Sequence, residues 1–377
     1  MIFLDKTQIK NNIAKTCSAD LSAGLIGGAA VLVKQNGKAL YKDFFGTSGA
    51  GREINEKTLF RLASMTKPIT AIAILKEIGK GKISLDSTVD EFIPEYTEMT
   101  LGDLDGNGEI VVVGKAENKM TVRHLLSHTS GVGSGKLCSK EDKLTEKAQT
   151  DLKSITDAYA SLPLSFEPFT QQAYSATVGF DILARIVEIV SGKSYDKYLK
   201  EEIFEPLGMT DTTFTPTEEQ WGRMTLMHSY KDGASSFAPL NKKTVFRGYP
   251  LTYFCGGAGL ASTLSDYEKF VDMLASRGKN ARGEQFIDEK LIDLMATPTS
   301  LQELGKGEKW GLSVRVVTDE DNRLPKGSFG WSGAYGCHFW IDPVNNITAI
   351  YMKNSTYDGG SGAKTAANLE RDVYSAF

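Results

Sequence analysis

Ser64 and Lys67 stand three residues apart in the run FRLASMTKPITAIAIL. On a helix that spacing puts both side chains on one face. A serine at a helix start meets free backbone N–H groups and the positive end of the dipole, and both favour a developing alkoxide or oxyanion. Pro68 is tolerated only in or near a first turn, so the helix must begin close to Ser64. The apolar run that follows would keep Lys67 out of water, where a lysine can serve as a neutral amine and take the serine proton. The chemistry implied is nucleophilic catalysis. The spacing alone is weak evidence, because Ser194/Lys197, Ser276/Lys279 and Ser361/Lys364 repeat it. The last two sit in glycine-bearing or terminal segments, and the first opens a charged, solvated helix. Only Ser64 precedes a long apolar helix. From the motif alone, Ser64 reads equally as an N-cap with a solvated lysine.

Other residues imitate sites. Asp103-Leu-Asp105-Gly-Asn107-Gly108 resembles half of a calcium loop, but its twelfth position is Gly114 rather than a glutamate, and a polar turn is expected. His124 and His128 have the spacing of a zinc pair without a third ligand, so packing or hydrogen-bonding histidines are expected. Ser127 beside His128 suggests a triad, but no Gly-x-Ser-x-Gly elbow surrounds any serine. His338 is read as a strand histidine within reach of a pocket rim. Asn346-Ile-Thr348 and Asn354-Ser-Thr356 are glycosylation sequons without other signs of secretion. Cys17, Cys138, Cys255 and Cys337 are far apart and are expected to be buried free thiols. No metal and no cofactor are expected.

These residues need elements to hold them. The chain has 377 residues with a net charge of −4, an ordinary globular balance without the basic character of a nucleic-acid or membrane-surface binder. No apolar stretch is long enough to span a membrane. The start MIFLDKTQIKNNIAK lacks the pattern of a signal peptide, so a cytoplasmic location is expected unless an export signal has been lost. Residues 6–22 predict a helix. Asn36-Gly37 predicts a hairpin, because both residues tolerate positive φ. Residues 64–80 predict a helix with Ile69, Ile72, Ile74, Leu75 and Ile78 on one face. Residues 101–121 read as a turn-rich excursion around a short strand. Residues 121–131 predict a helix stopping near Gly131, 178–191 a strong amphipathic helix, and 194–209 a helix broken at Pro206. After residue 253 come a helix capped by Thr263 and Asp266, four short β-type runs, and a last helix at 362–377. Strands at both ends with helices between predict an α/β (α+β) fold: an antiparallel sheet flanked by helices, residues 1–80 and 253–377, with a mainly helical domain inserted at 81–252.

FRLASMTKPIT, TVRHLLSHTSG, AYSATVGFDILARIVEIVSG, IFEPLGMTDT and GGAGLASTLSDYEKF together resemble the class C β-lactamase and penicillin-binding-protein-like superfamily. The resemblance spans about residues 25–350 and is nearest to the family VIII carboxylesterases. It implies a β-lactamase/transpeptidase-like fold and an acyl-enzyme on Ser64, with Lys67 and Tyr174 as the base. It further implies an oxyanion hole from the N–H groups of Ser64 and Ala334, and substrate contacts from Trp331, Ser332, Gly333 and Tyr335. Gly333 would let the substrate backbone approach the strand. The family's Tyr-x-Asn reads Tyr174-Ser175-Ala176 here, so the amide that holds a β-lactam side chain is missing. Its third motif reads Trp331-Ser332-Gly333, with an apolar wall in place of a cation. Where Phe-x-Pro-Gly-x-x-Trp is common, this chain has Phe169 for the glycine and Gln172 for the tryptophan. The resemblance thus implies hydrolysis of small or moderately apolar esters. The alternatives are β-lactamase or D-alanyl-D-alanine carboxypeptidase-type activity, acyl transfer, or a non-catalytic binder. The expected partner is a small ester or β-lactam-like molecule, with no nucleic acid or membrane, and the oligomeric state is open.

Overall fold

Asn36 and Gly37 take φ of 52° and 74° and turn the chain between β1 (Gly28–Gln35) and β2 (Lys38–Gly49). This is the hairpin that left-handed-tolerant residues favour. In the computed structural model, which describes residues 3–241, 251–360 and 362–376, the hairpin joins an eight-stranded antiparallel sheet. Its other strands are β3 (Arg52–Glu53), β4 (Glu308–Trp310), β5 (Arg315–Val317), β6 (Phe329–Ser332), β7 (His338–Asp342) and β8 (Ile347–Met352). The spatial order is β4-β5-β6-β7-β8-β1-β2-β3. The two ends of the chain meet at β1 and β8, where Ala30 faces Met352 and Leu32 faces Ile350.

The period of two in these strands fills two cores. Ala29, Val31, Val33, Ala349 and Tyr351 point under α1 (Lys6–Ser22) and against Leu369 and Val373 near the C-terminus. Ala30, Leu32, Phe339, Ile350 and Met352 point the other way, into a larger core. That core also takes Ile72, Leu125, Phe180 and Tyr267, so it runs across the boundaries expected at 80 and 253. At its centre lies α2 (Thr66–Gly79), which packs on α3 (Val178–Ser191). Every residue from Thr66 to Leu75 is buried, so α2 has no solvent face in its first two and a half turns. Ala71 and Ala73 are buried along with the isoleucines, so burial extends beyond the single apolar face expected. Helices α4 (Leu264–Ala275) and α5 (Lys364–Tyr374) complete the sheet's cover, and Thr263 caps α4 by accepting the Asp266 N–H.

The middle of the chain differs from expectation in four places. Residues 100–115 form a hairpin of two strands, with the 105–108 turn closed by Asp105, which accepts the Asn107 and Glu109 N–H groups. Met227–Lys231 pairs with Ala234–Ala238 through Asp232-Gly233, an unexpected second hairpin. The helix expected to reach Gly131 spans only Val122–Leu126, because His128 takes φ +58°. The segment after Ser194 is not broken at Pro206. It runs Tyr195–Leu199, widens into a π turn at Lys200–Phe204 and continues through Glu205–Leu207 to Gly208 at φ 72°. The wider turn accommodates a proline that has no N–H for an ordinary helical bond.

Candidate active site

The chain enters α2 through a strained step. Ala63 holds φ +47°, followed by a tight 3₁₀ turn over Ala63–Met65. An L-residue there costs about 1–2 kcal/mol and must be held by its surroundings. The Leu62 N–H donates to Leu260 O (2.8 Å), the Met65 N–H to Leu62 O (3.2 Å), and the Tyr267 hydroxyl to Met65 O (3.0 Å). Ser64 projects from this turn, with its N–H in the first turn, where helix donors lack intrahelical acceptors.

Ser64 Oγ lies 2.8 Å from the Tyr174 hydroxyl and 3.3 Å from Lys67 Nζ. Lys67 is 0 % exposed, and its amine also donates to Ala176 O (2.6 Å) and Gly257 O (2.9 Å). Sequence supplies this cage through two glycines. A Cβ on Gly256 would sit 2.3 Å from Phe180 O, and one on Gly257 would sit 2.9 Å from Thr177 Cα. Only a double glycine lets that loop approach the start of α3 so closely. Buried Asp181 fixes the loop by accepting the Gly256 N–H (2.8 Å) and the Tyr253 hydroxyl.

Tyr174 sits on the loop before α3 and is 36 % exposed, facing an open cleft. His128 holds that loop. Its carbonyl accepts the Ala173 N–H (3.0 Å), and its Nδ1 accepts the Ser175 N–H (3.1 Å). Burial, with the nearby Lys67 charge, pushes the His128 imidazole well below its ordinary value. The ring is therefore neutral with its proton on Nε2, and it packs 4.7 Å from the Tyr174 ring and 4.4 Å from Trp310. His124 accepts the Thr121 N–H through Nδ1 (3.2 Å) and stacks on Phe169. Both histidines thus pack and hydrogen-bond. Ser127 donates to Arg123 O (2.8 Å) rather than to His128, so no Ser-His pair forms there. Phe169, standing for the family's glycine, takes φ +65°, so the loop keeps a glycine-type turn at the expense of strain.

The third motif ends β6. Trp331 is buried, its ring centre 4.5 Å from Trp310 and 5.6 Å from Tyr174. After it, Gly333 N–H donates to Cys337 O (2.7 Å) and Gly336 N–H to Gly333 O (2.8 Å), whereas the exposed Ala334 has no such bond within the turn. A Cβ on Gly333 would lie 2.2 Å from Leu62 O, so this glycine admits the turn that carries Ser64. One expectation changes here. Ser332 is turned to the opposite face by strand alternation. It hydrogen-bonds His338 Nδ1 (2.8 Å), whose Nε2 meets Glu370 of α5 (3.1 Å). His338 is therefore a buried strand histidine away from the cleft. The Tyr335 ring lies over the Arg61 guanidinium, 5.3 Å away.

The other candidates stay outside the site. Ser361 lies beyond the described residues. Asn354, within a sequon, is buried and accepts the Arg61 N–H (2.8 Å). All four thiols are free, with Cys138 half-buried and the others buried. Among the described residues no three His, Cys, Asp or Glu gather as a metal site, and no helix is long and apolar enough to cross a membrane. Sequence reading missed the carbonyls of Ala176 and Gly257, the aromatic floor of Trp310 and the placement of Arg61. The Gly256-Gly257 pair was the available signal for the first.

A profile of the Beta-lactamase family matches residues 13–372. The chain therefore belongs to the Beta-lactamase family, and it is a serine hydrolase with the β-lactamase/transpeptidase fold. The esterase EstB of Burkholderia gladioli is 29 % identical, over 92 % of this chain and 90 % of its own length. Two solved structures share the fold. EstCE1, described as a hydrolase with promiscuous acyltransferase activity, superposes with a TM-score of 0.83 at 21 % identity, covering 98 % of this chain and 99 % of its own. A family VIII carboxylesterase gives 0.75 at 19 % identity, covering 98 % of both chains.

Proposed function

We propose that this chain hydrolyses small or moderately apolar carboxylic esters in two steps through an acyl-enzyme on Ser64. One observation carries the reading: a serine hydroxyl between a phenol at 2.8 Å and a caged lysine amine at 3.3 Å. The carbonyls of Ala176 and Gly257 hold that amine within reach of the Ser64 hydroxyl. Ser64 attacks the ester carbonyl carbon as its proton passes to the Lys67–Tyr174 pair. The N–H groups of Ser64 and Ala334 stabilise the oxyanion. Collapse breaks the C–O bond, and the alcohol leaves with a proton from Tyr174. Water then attacks the acyl-serine and gives a proton to the same pair. The acid departs and Ser64 is reprotonated.

The printed descriptions of EstB and of the family VIII carboxylesterase support an ester substrate, as does Trp331 in place of a cation. Ala176 offers only its backbone to Lys67 and no side-chain amide to an acyl group. The exposed Tyr174 leaves room for an acceptor alcohol, which supports acyl transfer as a second outcome. The test is labelling by a fluorophosphonate probe together with hydrolysis of p-nitrophenyl butyrate and nitrocefin. Labelling that is lost in Ser64→Ala, with ester turnover exceeding nitrocefin turnover, is expected. Equal labelling of the variant would overturn the nucleophile, and faster nitrocefin turnover would overturn the ester preference.

A further inference from the structure

Arg61 lies on the two-residue strand Phe60–Arg61, three residues before the nucleophile. Its backbone is locked by Asn354, which accepts the Arg61 N–H (2.8 Å) and donates to its carbonyl (3.0 Å). Its side chain is half-buried but unpaired. Nε is buried without a hydrogen-bond partner, and among the described residues no carboxylate reaches the guanidinium. The remaining residues contain no Asp or Glu side chain to do so. The other described arginines are spent differently. Arg52 donates to two backbone carbonyls, and Arg123, Arg185, Arg223, Arg277, Arg282, Arg315, Arg323 and Arg371 all form ion pairs.

A half-buried charge without a partner is costly, and burial pushes this guanidinium below its ordinary value. Its terminal nitrogens are not among the buried unpaired atoms, so the planar fork is open to solvent beside the Tyr335 ring. Tyr335 follows Ala334, and Arg61 precedes Ser64 by a span of at most about 10 Å of chain. The fork thus lies beside the residue that follows Ala334, on the strand that leads into Ser64. Such a fork fits one ligand chemistry best, a carboxylate held by two parallel hydrogen bonds.

We propose that Arg61 is a carboxylate-binding residue of the substrate cleft, so that the preferred substrates are esters bearing a carboxylate a few bonds from the scissile carbonyl. This rests on the ester-hydrolase reading above and sharpens its substrate class.

The test compares substrates that differ only in charge. Mono(4-nitrophenyl) glutarate against its methyl ester places the carboxylate on the acyl side. 3-Acetoxybenzoate against its methyl ester places it on the alcohol side. In the wild type, kcat/KM is expected to favour the anion at least tenfold in one of the two pairs, through KM, with the advantage shrinking as NaCl is raised. Arg61→Met should lower that anionic-to-neutral ratio at least tenfold, and Arg61→Lys should recover part of it. The ratio is internal to each variant and does not depend on the yield of folded protein, and the wild-type arms need no variant. Equal turnover of both members of both pairs, dependent on Ser64, would overturn the carboxylate site and leave the hydrolase. Absence of any Ser64-dependent turnover would overturn both.

Discussion

A lysine amine can serve three acceptors, and at Lys67 these are Ser64 Oγ, Ala176 O and Gly257 O. Tyr174 touches the same hydroxyl from the solvent side of the cleft. The two groups therefore differ in what else depends on them. Tyr174→Phe keeps the ring against His128 and Trp310 and removes only the hydroxyl. Its kcat on p-nitrophenyl butyrate should fall about 10²–10⁴-fold, with the melting temperature nearly unchanged. Lys67→Met should lose activity to a similar degree and also stability, because two buried carbonyls lose their donor at about 1–3 kcal/mol each. Steady-state kinetics beside thermal melts check the contrast. A Tyr174→Phe enzyme with wild-type kcat would remove the phenol from the mechanism. At this scale the sequence was informative about residue types and silent about direction. Ser64, Lys67 and Tyr174 could be picked out from motifs. That Ser332 faces α5 and Gly333 faces Leu62 depends on the strand's phase, which no motif encodes.

The turn after β6 is shaped by a neighbouring element. Lys353, just past β8, is 1 % exposed and donates to Tyr357 O (3.2 Å) and Asp358 O (2.8 Å). The loop it holds lies on the 333–336 turn. Gly360 N–H donates to Gly333 O (3.0 Å), and a Cβ on Gly359 would meet Ala334 O at 1.8 Å. Burial pushes the Lys353 amine down to about 8, against the pull of Asp358 and Asp20. Between pH 8 and 10.5 the unfolded lysine keeps a proton that the folded one has released, so stability rises with pH across that window. Lys353→Met should remove this rise, seen in denaturant melts at several pH values. It should also lower kcat/KM about tenfold by loosening the Ala334 turn. A variant with the wild-type pH slope would show that another group is responsible. Elements were legible where their cues were local. Asn36-Gly37 marked its hairpin, and Asp232-Gly233 carried the same kind of cue for a hairpin that was missed between helical segments. The short 122–126 helix and the π turn at 200–204 arise from a left-handed histidine and an accommodated proline, which are responses to packing.

Across the whole molecule, the pairing of β1 with β8 was readable because strands cluster at the two ends of the sequence, and unpaired edges seek partners. The sharing of one core by both expected domains was not readable, since apolar residues do not reveal which neighbours they meet. Global stability also carries a buried acid that no pattern signalled. Glu141, in the Cys138–Thr145 helix, is 1 % exposed, and its Oε2 is buried without a hydrogen-bond partner. Burial, with the adjacent Asp142 charge, pushes its carboxyl up to about 8. The folded chain therefore holds this proton at neutral pH, whereas the unfolded chain releases it near 4.5. Stability is fully present below pH 4.5 and is lost as pH rises toward 8, by about 3 kcal/mol at pH 7. Glu141→Gln keeps the shape of the neutral acid and has nothing to titrate. The difference in unfolding free energy between variant and wild type should therefore shift in the variant's favour by about 3 kcal/mol from pH 4.5 to 7, whatever its absolute value. Urea melts at those two pH values measure it. A difference that does not change with pH would mean that Glu141 ionises in the folded chain as it does in the unfolded one.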